Sequence, residues 1–156
     1  MGTPTKQTTG EVARASFSFS GLTTLANGTY VASSAVDLYN AIDSVTKPLD
    51  VIVTFEATPG TVSGNKQALV FCQTSMDGSN FTTGPTSGTT TTDQPNLKQI
   101  ASLPLFSNST QQRGEWSLLA EIGFIPHSLK LVIFNDSGAA FSAGAAYYTH
   151  IYGDSR

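Results

Sequence analysis

The chain is a succession of short β-patterned runs separated by turn-forming residues, and this pattern limits the possible folds more than any other feature. In residues 15–20 Phe17 and Phe19 share one side of an extended strand, while three serines share the other. No alternation of strands with helices is visible, which argues against a parallel α/β sheet. Further strands are predicted at 29–32, 34–39, 48–58, 67–75, 97–103, 115–120, 128–135 and 139–152.

Composition favours the same fold class. Thr and Ser together make up 39 of the 156 residues, whereas only 12% of the residues are charged. Thr favours strands and Ser favours turns. We therefore predict an all-β domain, a β-sandwich with the strand order of an eight-stranded jelly roll. Asp77-Gly78, between two β-patterned runs, predicts a hairpin with a return strand at 80–83.

Two segments differ from the strand-and-turn pattern. Residues 1–13 are rich in Thr, Gly and Gln without hydrophobic periodicity, which predicts an extended N-terminal arm before a single domain at 14–156. Residues 82–96 have low complexity and predict a long surface loop. Residues 41–47 are expected to form one helical turn that ends before Pro48.

Charge and residue usage exclude several classes of function. Eight basic and eleven acidic residues, without a basic run, predict no nucleic-acid partner. A single cysteine, Cys72, forms no internal disulfide framework, and no Cys/His cluster indicates zinc or another cofactor. No apolar run approaches the ~20 residues of a membrane span, and the first residues do not form a signal peptide. We therefore expect synthesis in a cytoplasm and no membrane partner.

The candidate catalytic groups form no recognisable motif. His127 and His150 lie far apart in the sequence, and no Gly-x-Ser-x-Gly elbow accompanies them. Glu115 and Glu121 flank Trp116, which is the closest approach to a glycosidase-like carboxylate pair. We predict that the chain is not an enzyme.

Two strands are apolar on both sides, at 68–72 and 131–134. A sandwich strand with one solvated face alternates instead. Either the loop at 82–96 covers the second face or another subunit does, and the residues leave both explanations open. For the second explanation we predict a homodimer or homotrimer. Its interface would contain Val70, Cys72, Val132 and Phe134.

The C-terminal part of the chain carries a resemblance to a known family. From Trp116 through the segment IPHSLKLVIFNDSGAAFSAGAAYYTHIY it resembles virion proteins of tailed bacteriophages, in which a strand is followed by an Asn-Asp-Ser/Thr-Gly-Ala turn and a closing strand of small residues. The segment TSMDGSNF at 74–81 is similar to strand-turn units of the same proteins. The resemblance covers roughly half of the chain and implies a capsid decoration (cement) protein.

Such a protein would bind the major capsid protein on the outside of the phage head and stabilise the lattice by bridging its subunits. Many copies at lattice-fixed spacing bind with avidity. An arm that folds on its partner can cover a large surface. We therefore assign capsid binding to arm residues, which are Thr3, Lys6, Thr8, Glu11 and Arg14.

Two other functions stay open at this point. The first is a carbohydrate- or receptor-binding domain of a tail fibre, which would need Trp116 and the tyrosines Tyr147, Tyr148 and Tyr152 in a row on one exposed face. Adjacent residues of a strand point to opposite faces, which argues against a row containing both Tyr147 and Tyr148. The second is a hydrolase, which would need a pocket joining a histidine to carboxylates.

Overall fold

The computed structural model describes residues 14–39 and 47–152. The predicted arm at 1–13 lies outside the described residues, and so does the predicted helical turn at 41–47 apart from Lys47. Within the described ranges β-strands make up most of the regular secondary structure, and they are arranged in two antiparallel sheets that pack face to face. The predicted all-β sandwich is confirmed.

The described part of the chain contains ten strands, several of them very short, one short α-helix, and 3-10 turns at Leu22–Thr24 and Gln94–Asn96. In chain order the strands and the helix are β1 (Ala15–Ser16), β2 (Tyr30–Ala32), β3 (Val36–Asp37), β4 (Asp50–Pro59), β5 (Gln67–Ser75), β6 (Ser87–Gly88), β7 (Lys98–Pro104), β8 (Gln112–Ser117), α1 (Leu118–Ile122), β9 (Ser128–Asp136) and β10 (Phe141–Ile151).

The two sheets draw on strands from the whole chain. The first sheet has the order β1-β10-β4-β8, and the second has the order β6-β2-β9-β5-β7, with β3 also paired to β9. Successive long strands therefore alternate between the sheets for much of the chain. This order is compatible with the predicted jelly roll, which as a topology stays a prediction.

The core lies between the sheets. Val51, Val53 and Phe55 on β4 face Val70 and Cys72 on β5, and all of these side chains are fully buried. The alternation predicted for the first run of the domain is also present. Phe17 is buried in the core and Phe19 packs at its margin, although only two residues of that run form a strand.

A segment of the same chain covers part of the outer face of the second sheet. We call residues 82–97 the lid. Within it, β6 pairs with β2, and the carbonyl of Thr86 accepts a hydrogen bond from the backbone NH of Ala32 at 3.0 Å. Leu97 packs on Phe71 and Val132 in a second apolar cluster outside the sheet. Leu97 and the buried Pro85 thus cover part of this face within the single chain, while Leu69 and Phe134 stay partly exposed.

Two local predictions differ from the structure. The run expected as a strand at 115–120 turns into helix α1 after Ser117, because the Ser117 hydroxyl accepts a hydrogen bond from the Ala120 backbone NH and caps a helix start. The chain does reverse at Asp77-Gly78. However, residues 80–83 form no strand, although the backbone NH of Thr82 donates to the Thr74 carbonyl at 3.0 Å.

The turn after β9 is closed by Asn135, whose side chain is fully buried. Its amide nitrogen donates to the carbonyls of Leu25 and Ala139, each at 2.8 Å. Its side-chain oxygen accepts from the backbone NH and the hydroxyl of Ser137 at 3.0 and 2.7 Å. Gly138 has a φ of +88°, and a Cβ there would lie 2.6 Å from backbone atoms of a neighbouring loop. The Asn-Asp-Ser-Gly-Ala segment is therefore a structural turn.

Removing the Asn135 amide is expected to destabilise the domain strongly. Asn135→Ala leaves buried backbone groups without partners, which predicts a loss of about 2–4 kcal/mol in the free energy of unfolding measured by urea denaturation. Asn65→Ala is the control, because the Asn65 amide donates to Asp136 in an exposed position, and its expected loss is below about 0.5 kcal/mol. Equal losses in the two variants would contradict the role of Asn135.

Truncating Leu97, which packs the lid against the second sheet, is expected to loosen the lid. Leu97→Ala removes buried apolar contacts with Phe71 and Val132, which predicts a loss of about 2–3 kcal/mol in urea denaturation and increased binding of a hydrophobic dye. Leu49→Ala is the matched control, because Leu49 is exposed and its truncation opens no cavity. An unchanged stability of the Leu97 variant would show that the lid contributes little.

Candidate functional site

Exposed apolar side chains gather at the end of the sandwich where β5 ends and β9 begins. Leu49 and Leu119 are 58% and 43% exposed. With Lys47, Pro48 and Phe124 they line a shallow cleft of about 370 Å³. We call Leu49, Leu119 and Phe124 the end patch. Contiguous exposed apolar side chains on a soluble domain are typical of interaction sites.

The end patch is held in place by Asp50, the first residue of β4. One carboxylate oxygen of Asp50 accepts a hydrogen bond from the backbone NH of Leu119 at 3.0 Å, and the other accepts from the hydroxyl of Ser117 at 2.6 Å. Because Ser117 caps α1, these bonds fasten the start of the helix to β4. Asp50 thus places Leu119 beside Leu49, although the two leucines are 70 residues apart in the sequence.

A further exposed apolar side chain at this end is Met76, in the turn after β5, which is 62% exposed. Asp77 gives this turn its shape, since its carboxylate accepts hydrogen bonds from Asn80, Ser79 and Ser75. These hydrogen bonds, those from Asn80 foremost, hold the pKa of Asp77 well below its usual range. The turn therefore has a fixed shape at the same end of the sandwich as the end patch.

Charged side chains surround the end patch with both signs. The Lys98 ammonium lies 5.8 Å from the centroid of the Phe124 ring, and the Lys47 ammonium lies 6.0 Å from that of Tyr39. Glu121 is exposed on α1. An apolar centre with a polar rim is the usual composition of a protein–protein interface.

Of the five residues predicted to bind a capsid, only Arg14, which directly follows the arm, is described. Thr3, Lys6, Thr8 and Glu11 lie outside the described residues. Arg14 stacks on Tyr147, with its guanidinium carbon 3.6 Å from the ring centroid. Since Ala15 pairs with Tyr148 in antiparallel register, Arg14 lies toward the end of β10, where the Ile151 carbonyl accepts from the Leu49 NH at 2.8 Å. Arg14, the first described residue, therefore lies on the side of the end patch.

The predicted oligomer interface needs a correction. Val70 and Cys72 point into the core between the sheets, and Val132 is fully buried beneath the lid, so none of the three is accessible to a second copy. Phe134 is half-buried at the edge of the lid, with its ring centroid 4.5 Å from that of Tyr30. The sequence did not show which side of a strand that is apolar on both faces points into the core. Burial also raises the pKa of the Cys72 thiol to about 12.

The two histidines occupy different settings, and within 14–39 and 47–152 neither lies in the arrangement of a catalytic triad. The same nitrogen of His127, Nδ1, lies 2.9 Å from the Ser128 hydroxyl and 3.7 Å from the Asp37 carboxylate. A triad needs the serine and the aspartate on opposite nitrogens of the ring. His150 is buried between Tyr148 and Tyr152, with ring centroids 5.4 and 5.7 Å away. Whether the chain has any enzymatic activity stays a matter of prediction.

The aromatic side chains do not form the row that sugar stacking would use. Trp116 and Tyr148 pack against the core between the sheets, and Tyr152 is buried. Tyr147 points to the outer face of the first sheet, where Arg14 covers one side of its ring. Tyr147 and Tyr148 thus face opposite sides, as the strand pattern predicts.

Sequence reasoning missed the end patch. Leu49 and Leu119 stood inside runs interpreted as strands, and their exposure depends on the start of β4 and on helix α1. The signal available in the sequence was Ser117 followed by Leu118-Leu119-Ala120-Glu121, which has the helix formers and the cap residue of a short helix.

No protein-family model matches the chain, and no curated protein is significantly similar to it in sequence. Among the described residues, no three His, Cys, Asp or Glu side chains are grouped so that they could hold a metal ion. The helices in that part of the chain are too short to span a bilayer.

Acidification is expected to destabilise the fold through His150. Burial lowers the pKa of His150 below its usual value, and a hydrogen bond to the backbone of Leu38 only partly opposes this. The unfolded chain therefore binds a proton first, so the contribution to stability is complete above about pH 6.5 and declines as the pH falls below it. The urea midpoint of the wild type should fall as the pH is lowered from about 7 to about 5.

The matched variants for this measurement are His150→Gln and His127→Gln. His150→Gln is expected to flatten the dependence of the urea midpoint on pH in this range. His127→Gln removes the half-exposed histidine and should retain the dependence. Asp77 contributes only in more acidic solution, because its unfolded pKa is near 3.9. A slope that persists in His150→Gln would show that another group controls stability.

Proposed function

We propose that this chain is a structural protein of a bacteriophage virion, a capsid decoration protein. In this function it binds the outside of the phage head and bridges major capsid protein subunits. It would be made in the host cytoplasm and reside on the capsid exterior. The observation that carries the proposal is the end patch, an exposed apolar surface on a small rigid domain.

The arrangement of the described residues supports attachment through one end. One face of the second sheet packs on the first sheet, and the lid covers part of the other. The end patch combines an apolar centre with a charged rim, and Arg14, the first described residue, lies on the same side. A rigid patch and an adjoining segment offer two linked contacts to one partner, which increases the effective concentration of the second contact.

Resemblance to phage virion proteins supplies the identity of the partner. The residues that carry it include Asn135 to Ala139, which here close a buried turn. Their role in this chain is structural, so the resemblance supports a shared type of β-domain. The attachment itself depends on the end patch.

A homodimer or homotrimer stays a prediction of this proposal. Since Val70, Cys72 and Val132 are inside the single chain, an interface between copies would use other surfaces. Light scattering of the purified chain at micromolar concentration gives its mass, and a monomer would remove self-association from the proposal.

Head binding can be tested by sedimentation. Heads of the encoding phage that lack this protein are mixed with the purified chain and pelleted, and the wild type is expected to bind saturably at a fixed number of copies per head. The double variant Leu49→Asp with Leu119→Asp places charges in the end patch, which predicts binding at least about tenfold weaker. A wild type that stays in the supernatant would refute the proposal.

Phe106→Asp is the matched control. Phe106 is 69% exposed and follows β7 at the opposite end of the sandwich, so its replacement changes exposed apolar surface without touching the end patch. It should bind heads like the wild type. Deletion of residues 1–13 tests the arm separately, and should weaken binding while the urea midpoint stays unchanged. A Phe106 variant as weak as the double variant would exclude the end patch as the attachment site.

A further inference from the structure

The outer face of the first sheet holds a buried carboxylate. Glu56 lies in the middle of β4, and only 7% of the residue is exposed, although its neighbours Phe55 and Ala57 point into the core. Arg113 on β8 donates through Nε to Glu56 Oε2 at 2.8 Å, and its Nη2 lies 2.7 Å from the same oxygen. The Arg113 side chain is half exposed, but burial of the Glu56 carboxylate on an outer face is costly unless its oxygen atoms have hydrogen-bond partners.

The second oxygen of this carboxylate is poorly satisfied. Among the described residues, Glu56 Oε1 accepts one hydrogen bond, from the Tyr147 hydroxyl at 3.3 Å. A carboxylate oxygen has room for two acceptor contacts, and this one is long. Glu56 Oε1 therefore has unused capacity to accept a hydrogen bond from a ligand.

Small side chains leave a depression in the surface of the sheet beside Glu56. Ala145 on β10 pairs with Glu56, and Ala143, two residues earlier on the same face, pairs with Thr58. Glu56 and these alanines line a depression of about 120 Å³, together with Thr23, Thr58 and Gln111. A second depression of about 190 Å³ adjoins it and shares Thr23, Gly144 and Ala145. The surface thus offers a short groove in which one side is apolar and the rim is polar.

The charges around the groove select the ligand class. Arg113 already neutralises Glu56, and the Arg14 guanidinium on Tyr147 is balanced by Glu115, which lies near Arg113 on the same face. The groove therefore has no net negative charge to attract a cation, whereas a neutral hydroxyl donor needs none. A hydrogen bond from a neutral hydroxyl to a carboxylate is still charge-assisted.

We propose that this groove is a binding site for a saccharide ring. One ring hydroxyl donates to Glu56 Oε1, and the apolar face of the ring packs on Ala143 and Ala145. Thr23 and Gln111 supply donors and acceptors at the rim. The site is separate from the end patch, so a chain attached to a head by its end could still present it.

The test is a titration of the full ¹⁵N-labelled chain followed by amide resonances. The probes are the methyl glycosides of glucose, galactose, mannose and N-acetylglucosamine at millimolar concentration, and butylammonium serves as a cationic probe. At least one glycoside is expected to shift resonances of residues 143–145 and 111–113, while butylammonium leaves them unchanged. The proposal is overturned if no glycoside shifts them, or if butylammonium shifts them as strongly.

Three variants then locate the site. Glu56→Gln removes the charge from the acceptor and is expected to weaken glycoside binding about tenfold. Ala145→Leu fills the groove without touching the ion pair and should abolish binding. Glu115→Gln, on the same outer face outside the groove, is the control and should bind like the wild type. Unchanged binding in both groove variants would overturn the proposal. Head binding by Ala145→Leu should be unaffected, which separates this site from the end patch.

Discussion

The second sheet is apolar on both faces, and the rest of the structure depends on shielding each of these faces from water. One face of β5 and β9 packs against β4 in the core, and the other lies beneath the lid. Burying each large side chain contributes about 1.5–3 kcal/mol, so an open outer face would forgo much of the stability of a small domain. A segment rich in Thr and Gly meets this need with Leu97 and the buried Pro85.

Closing that face determines which surfaces are left for partners. The interface residues expected from the sequence are used inside the chain, so apolar surface remains mainly at the ends of the sandwich. At one end Asp50 joins the start of β4 to α1 and holds Leu119 beside Leu49. The outer face of the first sheet is polar, with the Glu56–Arg113 pair at its middle. The two proposed binding surfaces therefore differ in chemistry as well as in place.

The resemblance to phage virion proteins and the proposed attachment rest on different residues. Asn135 and Gly138 belong to the turn, where full burial of an amide and a positive φ demand these residue types. Leu49 and Leu119 are exposed, and the fold does not need them to be apolar. The turn sequence thus supports only a type of β-domain, whereas the proposed attachment depends on the apolar side chains of the end patch.

The sequence by itself determined the fold class and most strand positions, because alternation and turn residues are local properties of the chain. β5 was predicted at its observed bounds, and the strands at 48–58 and 128–135 differ from β4 and β9 by two residues or fewer. Only the tertiary structure decided which side of β5 faces the core, because a strand with Val70 next to Phe71 has no polar face to mark it. The end patch and the Glu56 groove also needed it, since each joins residues that are distant in sequence and meet through strand pairing.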